Sequence, residues 1–389
     1  MLPPCRVEKA DMDPGQHTQA WLTLHLAPGL GPVTCNRLVA HFGSPERVLA
    51  ADISDLRAVC SLRRESVAAL SGKGRVSLEK LAREEVALAA EKDVLLIPSD
   101  DPRYPALLKH IHDPPVVLYS RGNPEAFNCR SIGMVGSRSA THYGKSVAFQ
   151  MAKSLAGQGF TIISGMALGI DTEAHRGALD AGGGTIAVLG CGLDIVYPPS
   201  NGNLYRDIVA SGAVVSEYPL GTPPESFRFP ARNRIISGLS LGVVVVEAAK
   251  RSGSLITAKH ALDQGREVFA VPGRIDSAKS AGTHTLLQQG AKLVHSIHDI
   301  VEEFHPGSLP QADEEPGQDA KMGKSDNLSR EEAALFSILD VYPRTIDEIA
   351  RESGLGPQKT SELLLLLELK GFVDSLPGKN YRKCSALVR

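Results

Sequence analysis

Four short segments between residues 136 and 254 carry glycines, hydroxyls or arginines of the kinds that make phosphate-binding loops. Gly136-Ser137-Arg138 joins a small residue, a hydroxyl donor and a guanidinium able to fork onto two phosphate oxygens. Taken alone it reads equally as an ordinary strand-to-helix turn. Its spacing is not the Gly-x-Gly-x-x-Gly of a dinucleotide site. Ser164-Gly165 through Gly169-Ile170-Asp171 sets glycines on both sides of a loop that enters a helix. Asp171 either caps that helix or bonds a ligand amine or hydroxyl; a lone aspartate at a helix start is more often a cap. His175, one turn later, reads as a packed histidine. Phe227-Arg228-Phe229-Pro230-Ala231-Arg232-Asn233-Arg234 interleaves two aromatics with three arginines and an amide. That mixture suits base stacking, phosphate contact and base-edge hydrogen bonding, and a merely solvated charge run would not carry aromatics so densely. Lys250-Arg251-Ser252-Gly253-Ser254 places hydroxyls around a glycine at a helix start, which predicts an anion nest with Arg251 beside it.

Other chemistries find no footing. There is no P-loop, so nucleotide hydrolysis is unsupported. No Ser–His–Asp arrangement, paired catalytic carboxylates or metal-ligand spacing stands out, and no cofactor or metal is expected. Cys5, Cys35, Cys60, Cys129, Cys191 and Cys384 form no Cys-x-x-Cys pair, which fits a reducing cytosol. The expectation is a cytoplasmic protein without a membrane span, since the longest apolar run is Leu363 to Leu367, far below the roughly 20 residues a span needs. Met1 to Ala10 has no signal-like apolar core. The net charge of −2 argues against a broad basic face. Locally the balance differs: Arg130 to Asp299 holds 16 Lys+Arg against 12 Asp+Glu, an excess of +4. No acid falls between Glu225 and Glu247, where Arg228, Arg232 and Arg234 lie. Local anion pockets fit this pattern.

Such loops need a rigid frame. Apolar runs at Ser131–Val135, Phe160–Ser164, Thr185–Leu189, Ala213–Ser216, Gly242–Glu247, Glu267–Val271 and Ala291–Val294 alternate with helical patterns such as Lys145 to Leu155. That alternation predicts an α/β fold, a parallel sheet covered on both faces, with ligands at the carboxyl ends of its strands. Residues 1–95 read as a helical domain. Its Ala27-Pro28-Gly29-Leu30-Gly31-Pro32 turn reads as a plain αα-corner or as a helix-hairpin-helix holding a DNA phosphate; the scarcity of nearby bases favours the corner. Leu78, Leu81, Ala82, Val86 and Ala89 form its clearest helical stripe. The sheet domain spans 96–303. Residues 304–328, rich in proline, glycine and mixed charge, read as a linker. In 329–389, Ser329 with Glu332 and Thr345 with Glu348 are two capping boxes. A third helix from Pro357 to Lys370 and a hairpin turning at Pro377-Gly378 complete a winged-helix pattern.

Read together and in order, Gly136-Ser137-Arg138, Ser164-Gly165 to Asp171, Phe229-Pro230-x-Arg232-Asn233-Arg234, Arg251-Ser252-Gly253-Ser254, Pro272-Gly273 and Gly282-Thr283-His284 closely resemble the DNA-processing protein A family, also called Smf. The resemblance is dense from about 100 to 295 and looser in the flanks. It implies an extended Rossmann fold between an N-terminal SAM-like domain and a C-terminal winged helix. It implies no enzyme but a homodimeric binder of single-stranded DNA that shields incoming strands in natural transformation and helps load the RecA recombinase. Carried over position by position, Gly136, Ser137 and Arg138 form the phosphate pocket with Ser164 and Gly165 beside it; Arg232, Asn233 and Arg234 line its mouth, and Ser252, Gly253 and Ser254 close it. Bases would rest near Phe227 or Phe229. Leu168 stands where many relatives have a base, which implies either a lower affinity or compensation by Lys145 or Arg176. The third winged helix offers only Lys359 and Lys370 against Glu362 and Glu368, which leaves Lys379, Arg382 and Lys383 as the domain's better electrostatic feature, with protein–protein contact an equal reading of the domain. A related sheet occurs in phosphoribohydrolases with a Pro-Gly-Gly-x-Gly-Thr loop; here Ala181-Gly182-Gly183-Gly184-Thr185 lacks the proline and precedes a strand. A pure adaptor with an empty sheet is the other rival.

Overall fold

The computed structural model describes residues 14–304, 329–340, 343–376 and 378–383. Most of the expected linker, the Met1 to Ala10 segment, Cys5, Pro377 and Cys384 lie outside the described residues. The described residues fall into two compact units, 14–140 with 147–299, and 141–146 with 300–383.

The first unit is built on a nine-stranded sheet. Its strands are β1 (Leu95–Pro98), β2 (Val117–Gly122), β3 (Ser131–Val135), β4 (Thr161–Ser164), β5 (Thr185–Val188), β6 (Ala213–Ser216), β7 (Gly242–Val245), β8 (Glu267–Ala270) and β9 (Lys292–Leu293). They lie in the order β1-β2-β6-β5-β4-β3-β7-β8-β9. From β6 to β9 every neighbouring pair is parallel. Strands such as Gly242–Val245, buried at every residue, are covered on both faces, as a parallel sheet requires. All seven expected strands form, within one to two residues at either end.

β1 and β2 depart from the expected parallel arrangement. They pair antiparallel with each other, and β2 runs antiparallel to β6. Both are short apolar runs cut by proline, at Pro98 and at Pro114-Pro115, and carry no alternation that marks a strand. Tertiary pairing on the β6 edge makes them strands.

β3 lies in the middle of the sheet. The chain winds from it through β4, β5 and β6 on one side, then crosses to β7, β8 and β9 on the other. Strand order therefore reverses between β3 and β7, and the loops leaving their carboxyl ends open onto one crevice.

Helices fill Pro14–Glu91. Trp21, Leu22, Leu24, Leu38 and Ala82 share one buried cluster with Tyr119, Leu189, Leu204 and Val214 of the sheet region, so one core joins helices and sheet. At Ala27 to Pro32 the chain makes a corner. Gly29 has φ +71°, and a Cβ there would fall 2.3 Å from the Glu65 carboxylate. Ser66 Oγ donates to Pro28 O at 2.8 Å. A carboxylate over the turn repels phosphate, which agrees with the plain corner. In the helix Gly72–Glu91, Leu78, Ala82 and Ala89 are buried, whereas Leu81, expected in the same stripe, is half exposed. Among the described residues no helix is long and apolar enough to cross a membrane.

In the second unit three helices, Arg330–Ile338, Ile346–Ser353 and Pro357–Leu369, pack Leu335, Ile349, Leu363, Leu364 and Leu367 together with Phe372. Both expected capping boxes form. Strands β10 (Arg344–Thr345), β11 (Val373–Leu376) and β12 (Asn380–Lys383) make the wing, in the order β10-β12-β11.

Candidate nucleic-acid interface

An open groove of about 400 Å³ lies at the carboxyl ends of β3, β4 and β7. Of the residues singled out by sequence, Gly136, Arg138, Asp171, Phe229, Arg232, Asn233, Ser252, Gly253 and Ser254 line it. Gly165, with Arg138, Phe229 and Arg232, lines a smaller adjoining recess that Leu168 also borders.

The glycines work by close packing. A Cβ on Gly136 would fall 2.6 Å from the Ile170 side chain, and one on Gly165 would fall 2.5 Å from the Arg232 guanidinium. Gly169, at φ +81°, lets its backbone pass Ser137 O and Arg138 O, which would lie 2.3 and 2.6 Å from a Cβ. The three glycines thus press the loops after β3 and β4 together under Arg232. Gly253 differs, with open space where its Cβ would be. Ser137 N donates to Glu247 O at 2.8 Å, so that amide fastens β3 to β7 and is not available to a phosphate.

The Phe227–Arg234 segment is helical: the helix Arg228–Gly238 carries Pro230 in its first turn, where a missing N–H costs nothing. Helical spacing splits the segment's arginines. Phe229, Arg232 and Asn233, at i, i+3 and i+4, face the groove. Arg234, two residues past Arg232, points away from it. This corrects the expected placement of Arg234 at the mouth. It is buried, donates to both Glu217 oxygens at 2.7 Å and to Asp113 Oδ2 at 2.8 Å, and braces the fold. Burial works against its charge, but Glu217 and Asp113 outweigh that and hold its pKa above the ordinary arginine value.

Arg232 is also buried rather than open to solvent, at 4% exposure. Its Nη1 donates to Gly165 O at 2.8 Å and to Val188 O, and its Nε to Asn233 Oδ1 at 3.2 Å. Burial lowers its pKa to about 10, with Asp171 opposing the shift and the like charge of Arg138 adding to it. Asp171 is not the helix cap; Gly169 is. The Asp171 carboxylate turns back to accept from Gly165 N at 3.2 Å and Ala167 N at 3.4 Å. Burial raises its pKa, countered by Arg232, those two amides and Arg138. His175 is fully buried, with Nδ1 2.7 Å from the Thr185 hydroxyl, and burial holds it neutral down to about 3. The packed reading of it stands.

Arg138 is exposed, and among the described residues it has no ion-pair partner. Its guanidinium lies over the Phe229 ring, 5.2 Å from the centroid, and Arg232 approaches the same ring at 6.0 Å. Tyr197, which the sequence did not single out, stacks on Phe229 with centroids 5.5 Å apart. Phe229 is therefore occupied by its neighbours. Among the described residues the exposed aromatics are Tyr197, at 38% exposure, and Phe227, at 67%.

At the β7 turn, Ser252 Oγ and Ser254 Oγ are 2.8 Å apart, and Asn233 Nδ2 donates to Gly253 O at 3.4 Å. Ser252 N, Leu255 N and Ile256 N bond to Ala249, Ser252 and Gly253 carbonyls, so the expected nest offers hydroxyls more than amides. Arg251 is exposed at its edge, and Ser164 is buried, its hydroxyl donating to Met134 O at 2.6 Å. Ser164 therefore stands behind the pocket instead of in it. Arg176 pairs with Glu173 at 3.0 Å, so it does not supply the charge that Leu168 lacks. The Gly182-Gly183-Gly184 run sits at the amino end of β5, across the sheet from the groove. Among the described residues no cluster of metal ligands occurs.

Among the described residues of the second unit, several bases are paired with acids. Lys359 pairs with Glu331 and Glu362, Lys370 with Glu332, and Arg382 with Asp374. The third helix instead exposes Leu365, Leu366 and Leu369.

A family model described as DNA recombination-mediator protein A matches residues 95–305, and one described as DprA winged helix domain matches 319–379. The chain is similar to Protein Smf of Synechocystis, 33% identical over 93% of this chain and 98% of that protein. It is similar to DNA processing protein DprA of Streptococcus pneumoniae, 47% identical over 52% of this chain and 72% of that protein. The X-ray structure of DNA processing protein A from S. pneumoniae superposes with a TM-score of 0.65 at 34% identity, covering 76% of this chain and 99% of that one.

Proposed function

This chain belongs to the DNA recombination-mediator protein A family, and from that premise we propose that it binds single-stranded DNA at the carboxyl edge of its sheet and leaves the strand chemically unchanged. The observation that carries the reading is the charge balance of the groove. Arg138 and Arg232 both act on one buried carboxylate, Asp171. One positive charge is left over at the mouth, beside the Ser252 and Ser254 hydroxyls and the Asn233 amide. A phosphate supplies the balancing charge and further acceptor oxygens for those donors.

Two features favour a single strand over a duplex. Among the described residues two cations, Arg138 and Arg232, line the groove, and a net charge of −2 does not suit a broad basic face. Phe227 and Tyr197 offer rings to unpaired bases, which a duplex hides. Arg138, Asn233, Ser252, Ser254 and Arg251 make the direct contacts; Gly136, Gly165, Arg232 and Asp171 hold them in place. In keeping with the family, the protein acts in the cytoplasm as a homodimer, covers incoming strands during transformation and hands them to RecA. The phosphoribohydrolase rival is disfavoured because its glycine loop has its counterpart at the wrong edge of the sheet.

Fluorescence anisotropy with oligo-dT and with a duplex of equal length tests this reading. Preference for the single strand is expected. Equal or tighter duplex binding would contradict it, and release of free base from nucleoside monophosphates would move the function to the enzyme rival.

A further inference from the structure

The loop after β8 brings a cation to the groove from a distance no local motif announces. It packs on the end of β7: Gly282 N donates to Ala248 O at 2.7 Å, and a Cβ on Gly282 would fall 2.7 Å from both Ala248 O and Ala249 O. Buried Ser280 sits against Gly273, where a Cβ would approach its hydroxyl to 2.1 Å. The loop is thereby fixed directly beside the Lys250–Ser254 turn. From it Lys279 reaches back past β7 to the β3 loop, where its Nζ donates to Ser139 O at 2.8 Å and to Ser139 Oγ. β3 and β8 are two strand spacings apart, about 10 Å, a distance that only a long side chain bridges.

We propose that Lys279 is a nucleic-acid contact, forming with Lys250 and Arg251 a second phosphate subsite through which the strand leaves the groove on the β8 side. This rests on the single-stranded-DNA reading above. An ammonium has three protons; two go to Ser139, and the third remains for an anion. None of Lys279, Lys250, Arg251 and Arg138 has a carboxylate partner among the described residues. Lys279, Lys250 and Arg251 therefore extend the excess charge that Arg138 and Arg232 leave over Asp171 along the carboxyl ends of β3, β7 and β8. A neighbouring arginine on the same loop, Arg274, is paired with Asp276 at 2.8 Å and is not part of the subsite.

The test uses the full chain with oligo-dT, comparing wild type, Lys279→Met and Lys279→Arg across a salt series, with thermal melting as a fold check. One phosphate contact on a single strand contributes about 0.7 to the salt slope, or roughly eightfold in affinity at about 50 mM salt. Lys279→Met is expected to lose both, and Lys279→Arg to keep most of each. A weaker affinity with an unchanged slope would make Lys279 only a brace for the β3 loop and overturn the subsite, as would no change at all. Failure of wild type itself to bind oligo-dT would instead overturn the function on which the subsite rests.

Discussion

The groove and the third winged helix both carry basic residues, yet they use them in opposite ways. Around the groove Arg138, Lys250 and Arg251 have no carboxylate partner among the described residues. On the winged helix Lys359 and Lys370 are each held by glutamates within 3.5 Å. A cation already neutralised releases no counterion to a phosphate and adds little to nucleic-acid affinity. Counting bases in a segment thus says less than asking which acids the fold brings beside them. The same lesson holds within one helix, where Arg232 faces the groove and Arg234 is consumed by Glu217 and Asp113.

The sharpest way to break the comparison is to remove a paired cation. Arg234→Met leaves Glu217 buried without its partner, and loss of one member of a buried pair costs about 3–5 kcal/mol. Chemical denaturation should show that loss, while the salt slope of DNA binding by the protein that remains folded should not move. A changed slope would place Arg234 on the DNA. A second, smaller separation comes from pH. Burial holds His25, the last residue of the helix Pro14–His25, at about 4 and His175 at about 3 in the folded state. The unfolded chain takes up those protons below about 6.5 and the folded chain does not, so stability falls as pH drops through that value. At pH 5 the loss is on the order of 2 kcal/mol for each histidine. No histidine lies between residues 329 and 383. Calorimetry from pH 7 to pH 5 should therefore lower the unfolding transition of the α/β unit and leave that of the winged helix in place. Ser252→Ala with Ser254→Ala removes two hydroxyl donors, which should weaken oligo-dT binding by roughly 1 kcal/mol for each bond lost, with the salt slope preserved. The smallest expected effect is none: Lys359→Ala and Lys370→Ala should leave affinity and slope unchanged in the same titration.

Much of this was legible in the sequence because local rules decided it. The seven parallel strands follow from apolar runs of strand length, and the capping boxes from Ser329 with Glu332 and Thr345 with Glu348. Nine of the expected site residues gather at the groove because they follow strands of one parallel sheet, whose carboxyl ends must share an edge. What could not be read depends on partners far away in the chain. Arg234 is bound to residues 17 and 121 positions away. Lys279 touches a serine 140 positions earlier. Tyr197 lies in a proline-flanked stretch with no pattern, and only the fold stacks it on Phe229. β1 and β2 were missed because pairing, not periodicity, makes them strands.

The most direct measurement is the salt dependence of oligo-dT binding by wild type and Arg138→Ala, from about 50 to about 200 mM salt. The account predicts tight, steeply salt-sensitive binding by wild type. Arg138→Ala should bind roughly tenfold to a hundredfold more weakly, as for loss of a charged hydrogen bond, with a slope shallower by about 0.7. Identical affinities and slopes for the two proteins would contradict the claim that the groove holds the phosphates.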